Sequence, residues 1–201
     1  MQIDNPARGF TFKQQGPLDM RMDATNSSIE TAAEYIKRAS HSDLSSILEE
    51  NSDEEFSSEI ASAIIQRRSG GKLSTTIELA DAIREGCQLA HENRKLNPPT
   101  KEVINGAIAR TMQALRIQVN SEFRALETLL DSLPHILKSG GRVVFLTFHS
   151  GEDRRVKKAL KTYFNRGIFS SWSRDVVRAG AVERRANPRS KCAKLRWAVR
   201  A

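Results

Sequence analysis

The sequence predicts an α/β fold in which a strand-and-helix layer carries an all-helical unit, and three stretches predict it. First, Gly140-Gly141 feeds Arg142 and then Val143-Val144-Phe145-Leu146-Thr147-Phe148, an uncharged run of β-branched, aromatic and aliphatic residues that stops at His149-Ser150-Gly151-Glu152-Asp153-Arg154. It reads as a buried strand delivering His149 and Ser150 to its carboxyl end, where open α/β sheets bind their ligands. Second, Asn105 to Leu133 places Ile108, Met112, Leu115, Val119, Phe123, Leu126, Leu130 and Leu133 at spacings of three and four, one continuous apolar face suited to a helix lying on a sheet. Third, residues 24–100 hold four helical signals in succession.

At 201 residues the chain has room for one ordinary domain, or for one domain carrying an insertion. A hydrophobic share of 39% with both charge signs well represented excludes a disordered chain. No stretch approaches the length of a membrane span, and the N-terminus has neither the apolar run of a secretory signal nor the acid-free character of a transit peptide. Cys87 and Cys192 are too few for a disulfide framework or a cysteine-based zinc site, so a reducing intracellular compartment is expected.

The charge is unevenly placed. Residues 138–201 hold 17 Lys+Arg against 4 Asp+Glu, a net of +13, while residues 1–137 hold 15 against 20, a net of −5. A cationic last third points to a polyanionic partner, with nucleic acid the first candidate.

In order along the chain, Gln2 to Phe12 has loop residues followed by aromatics and resembles the interior of a fold. Gly16-Pro17 marks a turn, after which Asp19 and Asp23 flank Arg21 in an extended segment with an internal Asp–Arg pair. Ser27 or Ser28 is a plausible cap for a first helix, and Asp43-Leu44 with Ile47-Leu48 marks a second. A third runs from about Asp53 to Gly70-Gly71, and a fourth opens at Ser74-Thr75-Thr76. Pro134 ends the long periodic helix and starts a short turn. Helix, glycine turn, strand and helix then make half of a parallel α/β layer. Glu152-Asp153 suit a helix N-terminus, Trp172 lies in a loop or short strand, and Leu195, Trp197 and Val199 alternate with Lys194, Arg196 and Arg200 in a final strand with one basic face.

Five blocks stand in a familiar order: Gln2-Ile3-Asp4 with Arg8-Gly9-Phe10-Thr11-Phe12; Gly16-Pro17-Leu18-Asp19-Met20-Arg21-Met22-Asp23; Arg110 to Asn120; Gly140 to Arg154; and Asn187-Pro188-Arg189 to Arg196. On these blocks the chain resembles the RsmH/MraW-type S-adenosylmethionine-dependent methyltransferases, which methylate the exocyclic amine of a cytidine in small-subunit ribosomal RNA. The resemblance implies the C-terminal part of a class I (Rossmann-like) methyltransferase sheet with an inserted all-helical domain. Residues 1–23 and 101–201 would form the partial methyltransferase domain and residues 24–100 the inserted helical one. It implies a cytoplasmic protein, or an organellar one, whose partner is ribosomal RNA of the small subunit. The family's glycine-rich cofactor turn, ribose-binding acid and acidic strand-end motif are expected to precede Met1. Two further departures are Gly106-Ala107-Ile108-Ala109, where the family has His-Pro-Ala-Thr, and Gly151, where it has leucine.

The resemblance matches Gln2 to a cofactor-contacting glutamine. It turns Asp19, Arg21 and Asp23 toward an active site, the two acids as catalytic candidates and Arg21 as an RNA contact. His149 and Ser150 would line the target base, though a strand-end histidine is equally a structural hydrogen-bonding residue. Arg116 and Asn120, four apart on one helical face, either point into the site or bond to each other and to backbone. Asn187, Arg189, Lys191 and Lys194 are expected to contact phosphates, which position RNA without reading its sequence. His41, His91 and His135 have no clustered ligands, and no metal is expected. Among readings of another class, a non-catalytic RNA-binding or ribosome-assembly protein derived from this family is the alternative.

Overall fold

The computed structural model describes residues 5–201. The chain divides into two compact units, Met1–Ser121 and Glu122–Ala201. No helix among the described residues is long and apolar enough to cross a membrane.

The first unit holds a 3-10 turn at Pro6–Arg8, a loop, and helices α1 (Ala32–Arg38), α2 (His41–Ser52), α3 (Ser57–Ser69), α4 (Thr76–Asn93) and α5 (Lys101–Asn120). Capping boxes start three of them: Thr31 with Glu34, Ser40 with Asp43, and Thr75 with Glu78. Ser28 does not cap α1 as the sequence suggested, because its N–H and hydroxyl both donate to the Asn26 carboxamide oxygen. Nor does α3 begin at Asp53. That residue ends α2 in the left-handed conformation (φ 53°), and the next helix starts at Ser57. Leu44, Leu48, Ile60, Ile64, Leu79, Ile83, Ile108 and Leu115 form the core. Gly86 permits the close approach of α3 and α4, since a Cβ there would lie 2.6 Å from the Ile60 Cα.

The long periodic stretch is two helices rather than one. Ser121 takes φ +50° and closes α5, and α6 runs from Glu122 to Ile136 in the second unit. Apolar spacing continues across the break, so the pattern alone does not register one left-handed residue. Pro134 does not end α6 either. It sacrifices one backbone bond, while burial of Leu130 and Leu133 and the Leu137 N–H to Leu133 carbonyl bond hold the last turn together.

The second unit continues with β1 (Arg142–Thr147), α7 (Ser150–Asn165), β2 (Phe169–Trp172), α8 (Ala181–Ala186), a 3-10 turn at Pro188–Cys192 and β3 (Lys194–Arg200). The sheet order is β1-β3-β2, with both pairings antiparallel and Val144 opposite Trp197. This corrects the expected parallel layer. β1 and β2 do point the same way and are joined through α7, but the last strand of the chain inserts between them and takes both sets of hydrogen bonds.

One further expectation changes, and the direction of the basic face becomes defined. β1 is not buried on both faces: Val143 and Phe145 pack with Leu126, Leu130, Val156, Leu160 and Ala198, whereas Val144, Leu146 and Phe148 are 59, 57 and 52% exposed. The continuous apolar run anticipates two covered faces, and the helices of this unit cover one. The basic face of β3 is also the inward one. Arg196 and Ala198 are buried, while Trp197 on the alternate face is open.

Candidate active site

The first unit presents one group of candidate residues and the second unit two. In the first, the loop from Gly16 to Asp23 is held from two sides. Met20, fully buried, takes φ +61°. Its N–H donates to the Arg8 carbonyl at 3.1 Å, and its carbonyl accepts from Asn120 Nδ2 at 2.8 Å. Asn120 Oδ1 accepts from the Met22 N–H at 2.6 Å, and Nδ2 also donates to the Arg116 carbonyl. Arg8 Nη2 donates to the carbonyls of Arg21 and Met22. A left-handed methionine costs on the order of 1–2 kcal/mol, and five bonds from two side chains and the Arg8 backbone over-determine it. Asn120 is therefore a brace of this loop, and Arg116 is half-buried beneath it.

The loop presents Asp19 and Arg21 as a bidentate pair, Nε to Oδ1 and Nη2 to Oδ2, both at 2.8 Å. The hydrogen bond from Arg21 holds the Asp19 carboxyl below its usual value. Exposed Asp23 is likewise lowered, by the hydroxyl and N–H of Thr25. The internal Asp–Arg pair expected from the sequence thus forms. Both acids are carboxylates at neutral pH, acceptors rather than proton donors.

In the second unit His149 is the N-cap of α7, its Nδ1 accepting from the Glu152 N–H at 3.4 Å. That bond assigns the ring proton to Nε2, which lies 3.4 Å from Glu152 Oε1. Glu152 Oε2 accepts from the Phe148 N–H at 2.9 Å. Burial pushes the Glu152 carboxyl up, but the His149 ring and the Phe148 N–H outweigh it and leave it lowered. Ser150 is exposed at the first position of the helix. Glu122, His149 and Glu152 bring one ligand atom each within 4.8 Å of one another. The ring lone pair is nonetheless committed to the helix cap, so a cation at Nε2 would break that cap first.

Gly151 has a local cause. A Cβ there would lie 2.6 Å from Cζ of Phe123, whose ring occupies the space a larger residue would need. The Phe123 ring also tilts against His149, with centroids 5.8 Å apart, and carries Arg155 over its face. Gly151→Leu is expected to lower stability by about 1–3 kcal/mol through overpacking. Combined with Phe123→Ala it should show a favourable coupling of about 1 kcal/mol in a double-mutant denaturation cycle, while strict additivity would place the clash elsewhere.

Asn187 accepts from the Arg189 N–H and caps the 3-10 turn, which sets out Arg189 and Lys191 on the surface with Lys194 half-buried behind them. Arg184 and Arg185 of α8 are exposed beside them. In the sequence these two carry only a compositional signal, the cationic last third, and none by position. Phe123, Glu152 and Arg196 have in the sequence only the signal of an apolar helix face, a helix start and a basic strand face, and their contacts with His149 and Asp153 come from the fold. Gln2 lies outside the described residues.

Comparison with known proteins places this geometry in a lineage. A protein of Agathobacter rectalis named ribosomal RNA small subunit methyltransferase H 1 is 47% identical over the whole of this chain and 56% of its own length. A protein of the same name from Lachnoclostridium phytofermentans is 46% identical, with 53% of its length covered. The ribosomal RNA small subunit methyltransferase H of Synechocystis sp. is 39% identical over 98% of this chain and 59% of its own. The chain thus spans a little over half the length of the curated relatives it matches. With residues 1–201 matched by the model of the MraW methylase family, the chain belongs to that family.

Proposed function

We propose that this chain is the substrate-facing part of an S-adenosylmethionine-dependent methyltransferase acting on the exocyclic amine of a cytidine in small-subunit ribosomal RNA, in the cytoplasm. Residues 24–100 would be the inserted helical recognition domain, and residues 1–23 with 101–201 the C-terminal part of a class I sheet. The observation that carries this reading is the end of β1. The strand delivers His149 and Ser150 next to an ionised Glu152, while its outer face is apolar and open and its outer edge has no strand partner among the described residues. Such an edge and face suit a sheet that is continued by further strands and helices.

The described residues do not themselves fit the methyl donor. The space beside Gly151 belongs to the Phe123 ring, and the N-terminus of α7 is taken by the His149 cap and the Glu152 carboxylate. No donor-binding step is therefore assigned to them. Their part is with the acceptor. A cytosine amine has its lone pair delocalised into the ring, so acceptors that hold its protons help present the nitrogen. In the first unit Asp19 and Asp23 are ionised acceptors, with Arg21 and Arg116 to position phosphates; in the second, taken by itself, Glu152 is an ionised acceptor, His149 Nε2–H and Ser150 are polar groups at the strand end, and Arg189, Lys191 and Lys194 position phosphates. Asn120 braces the loop that carries Asp19, Arg21 and Asp23, and Asn187 caps the turn that carries Arg189 and Lys191.

The missing fit is also what favours the second reading, an RNA-binding or ribosome-assembly protein without catalysis. Calorimetric titration of this chain with S-adenosylmethionine should show no binding, whereas a chimera preceded by the amino-terminal part of the Agathobacter rectalis relative should bind it and methylate small-subunit RNA from a labelled donor. Micromolar binding by the chain alone would overturn the division of labour. A chimera that binds donor but leaves the RNA unmethylated would establish the second reading.

A further inference from the structure

We propose that a cleft of about 380 Å³ on the second unit, lined by Lys157, Lys161, Phe164, Asn165, Trp172 and Arg174, holds one unpaired nucleotide of an RNA strand. The inference rests on the RNA reading above and adds a site to it. Lys157, Lys161, Phe164 and Asn165 stand at i, i+4, i+7 and i+8 of α7 and share one helical face. Trp172 closes β2, where it pairs with Ala198 and packs part of its ring on the core. Phe169 anchors the same strand against α7 through an edge-on contact with Tyr163, centroids 5.6 Å apart.

The chain that follows Trp172 is fixed. Buried Arg196 donates to the carbonyls of Ser173 at 3.4 Å and Arg174 at 3.1 Å, and Ser173 Oγ accepts from the Trp197 N–H. The indole is thereby presented on a rigid strand end, which lowers the ordering cost of binding. The lining has three cations and no acid. Asp153, one turn before Lys157, is committed to Arg196, and Asp175 follows Arg174 outside the cleft.

Aromatic faces among cations are what unpaired bases and their phosphates require. A base stacks on the indole, with Phe164 beside it, the Asn165 carboxamide offers a donor and an acceptor to the base edge, and Lys157, Lys161 and Arg174 face the phosphates. A base inside a duplex exposes no face to stack. The cleft opens on the same α7 that His149 caps, with Lys161 about 16 Å of helix from Ser150, so the held nucleotide flanks a target presented at the strand end.

The test uses the full chain carrying Trp197→Phe, which leaves Trp172 as the sole indole. A single-stranded oligocytidine, an RNA duplex and cytidine monophosphate are titrated against its fluorescence. The single strand should quench Trp172 saturably and the duplex should not. Lys157→Gln with Lys161→Gln, both at exposed positions, should weaken the single strand about tenfold and reduce the salt slope by about 1.4, at roughly 0.7 per phosphate contact. In the protein with both tryptophans, Trp172→Leu should weaken it about tenfold to a hundredfold. Oligocytidine binding that leaves Trp172 fluorescence and the lysine variant unchanged overturns the site while leaving RNA binding intact. Quenching by the monophosphate as strong as by the strand overturns the RNA assignment in favour of a mononucleotide, and an absence of any RNA binding removes both this site and the function proposed above.

Discussion

Replacing Arg196 with leucine is expected to cost the second unit about 3–5 kcal/mol, enough to unfold it at ordinary temperature. Arg196 is 5% exposed, and its guanidinium is fully employed. Nε and Nη2 donate to Asp153 at 2.7 and 3.1 Å, and Nη1 takes the carbonyls of residues 173 and 174. Leucine would leave a half-enclosed carboxylate and two carbonyls without these donors, the situation in which breaking an ion pair costs far more than replacing it. Arg196→Leu combined with Asp153→Leu should recover part of the loss. Both tryptophans lie in this unit, so urea denaturation followed by their fluorescence reads it directly. A loss below about 1 kcal/mol would show that the pair contributes as little as a surface salt bridge.

The same pair sets an acid limit. Burial pushes the Asp153 carboxyl up, Arg196 outweighs it, and the folded value lies below the usual 3.8. A group depressed on folding contributes its stability above its unfolded pKa and loses it as the pH falls through the folded one. The contribution of Asp153 should therefore be complete and independent of pH around neutrality, and the unit should weaken below about pH 4. Asp153→Asn should flatten that acid limb.

Arg110→Ala is expected to destabilise the first unit by about 3 kcal/mol. Glu54 has a fully enclosed side chain whose carboxylate accepts from Arg110 Nε at 2.8 Å, Arg110 Nη2 at 3.2 Å and the Phe56 N–H at 3.1 Å. Removing the cation strands a charge beside Cys87, whose own thiol burial pushes up to about 11. Arg110 itself is partly exposed, which places the loss at the lower end of the range for buried pairs. The first unit has no tryptophan, so far-UV circular dichroism would follow it, and Glu54→Gln in the Arg110→Ala background should return part of the stability. An Arg110→Ala protein as stable as the parent would show that the Arg110–Glu54 pair contributes no more than a surface salt bridge.

What was legible in the sequence was local. The opening of α4 at Ser74-Thr75-Thr76, the glycine turn before β1, the acids opening α7 and the Asp19–Arg21 pair each depend on residues a few positions apart, and each forms as expected. Ser28 and Asp53 failed for a reason of the same range, an Asx turn and a left-handed cap competing with helix starts. His149 and Ser150 were reached by pattern and Asn120 by resemblance. The structure gave Asn120 a specific task, since its partners Met20 and Met22 lie about a hundred residues away.

By itself the sequence determined α2, α4, α7, β1 and β3, the cationic last third and, through its matched blocks, the family, while the break between α5 and α6 and the short α8 left no signal in it. Tertiary structure alone decided that β3 inserts between β1 and β2, that Arg196 turns inward to Asp153 while Val144 and Leu146 stay open, and that α7 and β2 frame a cleft around Trp172. The physical reason is range. Caps and periodicity are fixed by neighbours along the chain, whereas which strand pairs, which face is covered and which charge meets its partner depend on groups that only folding brings together.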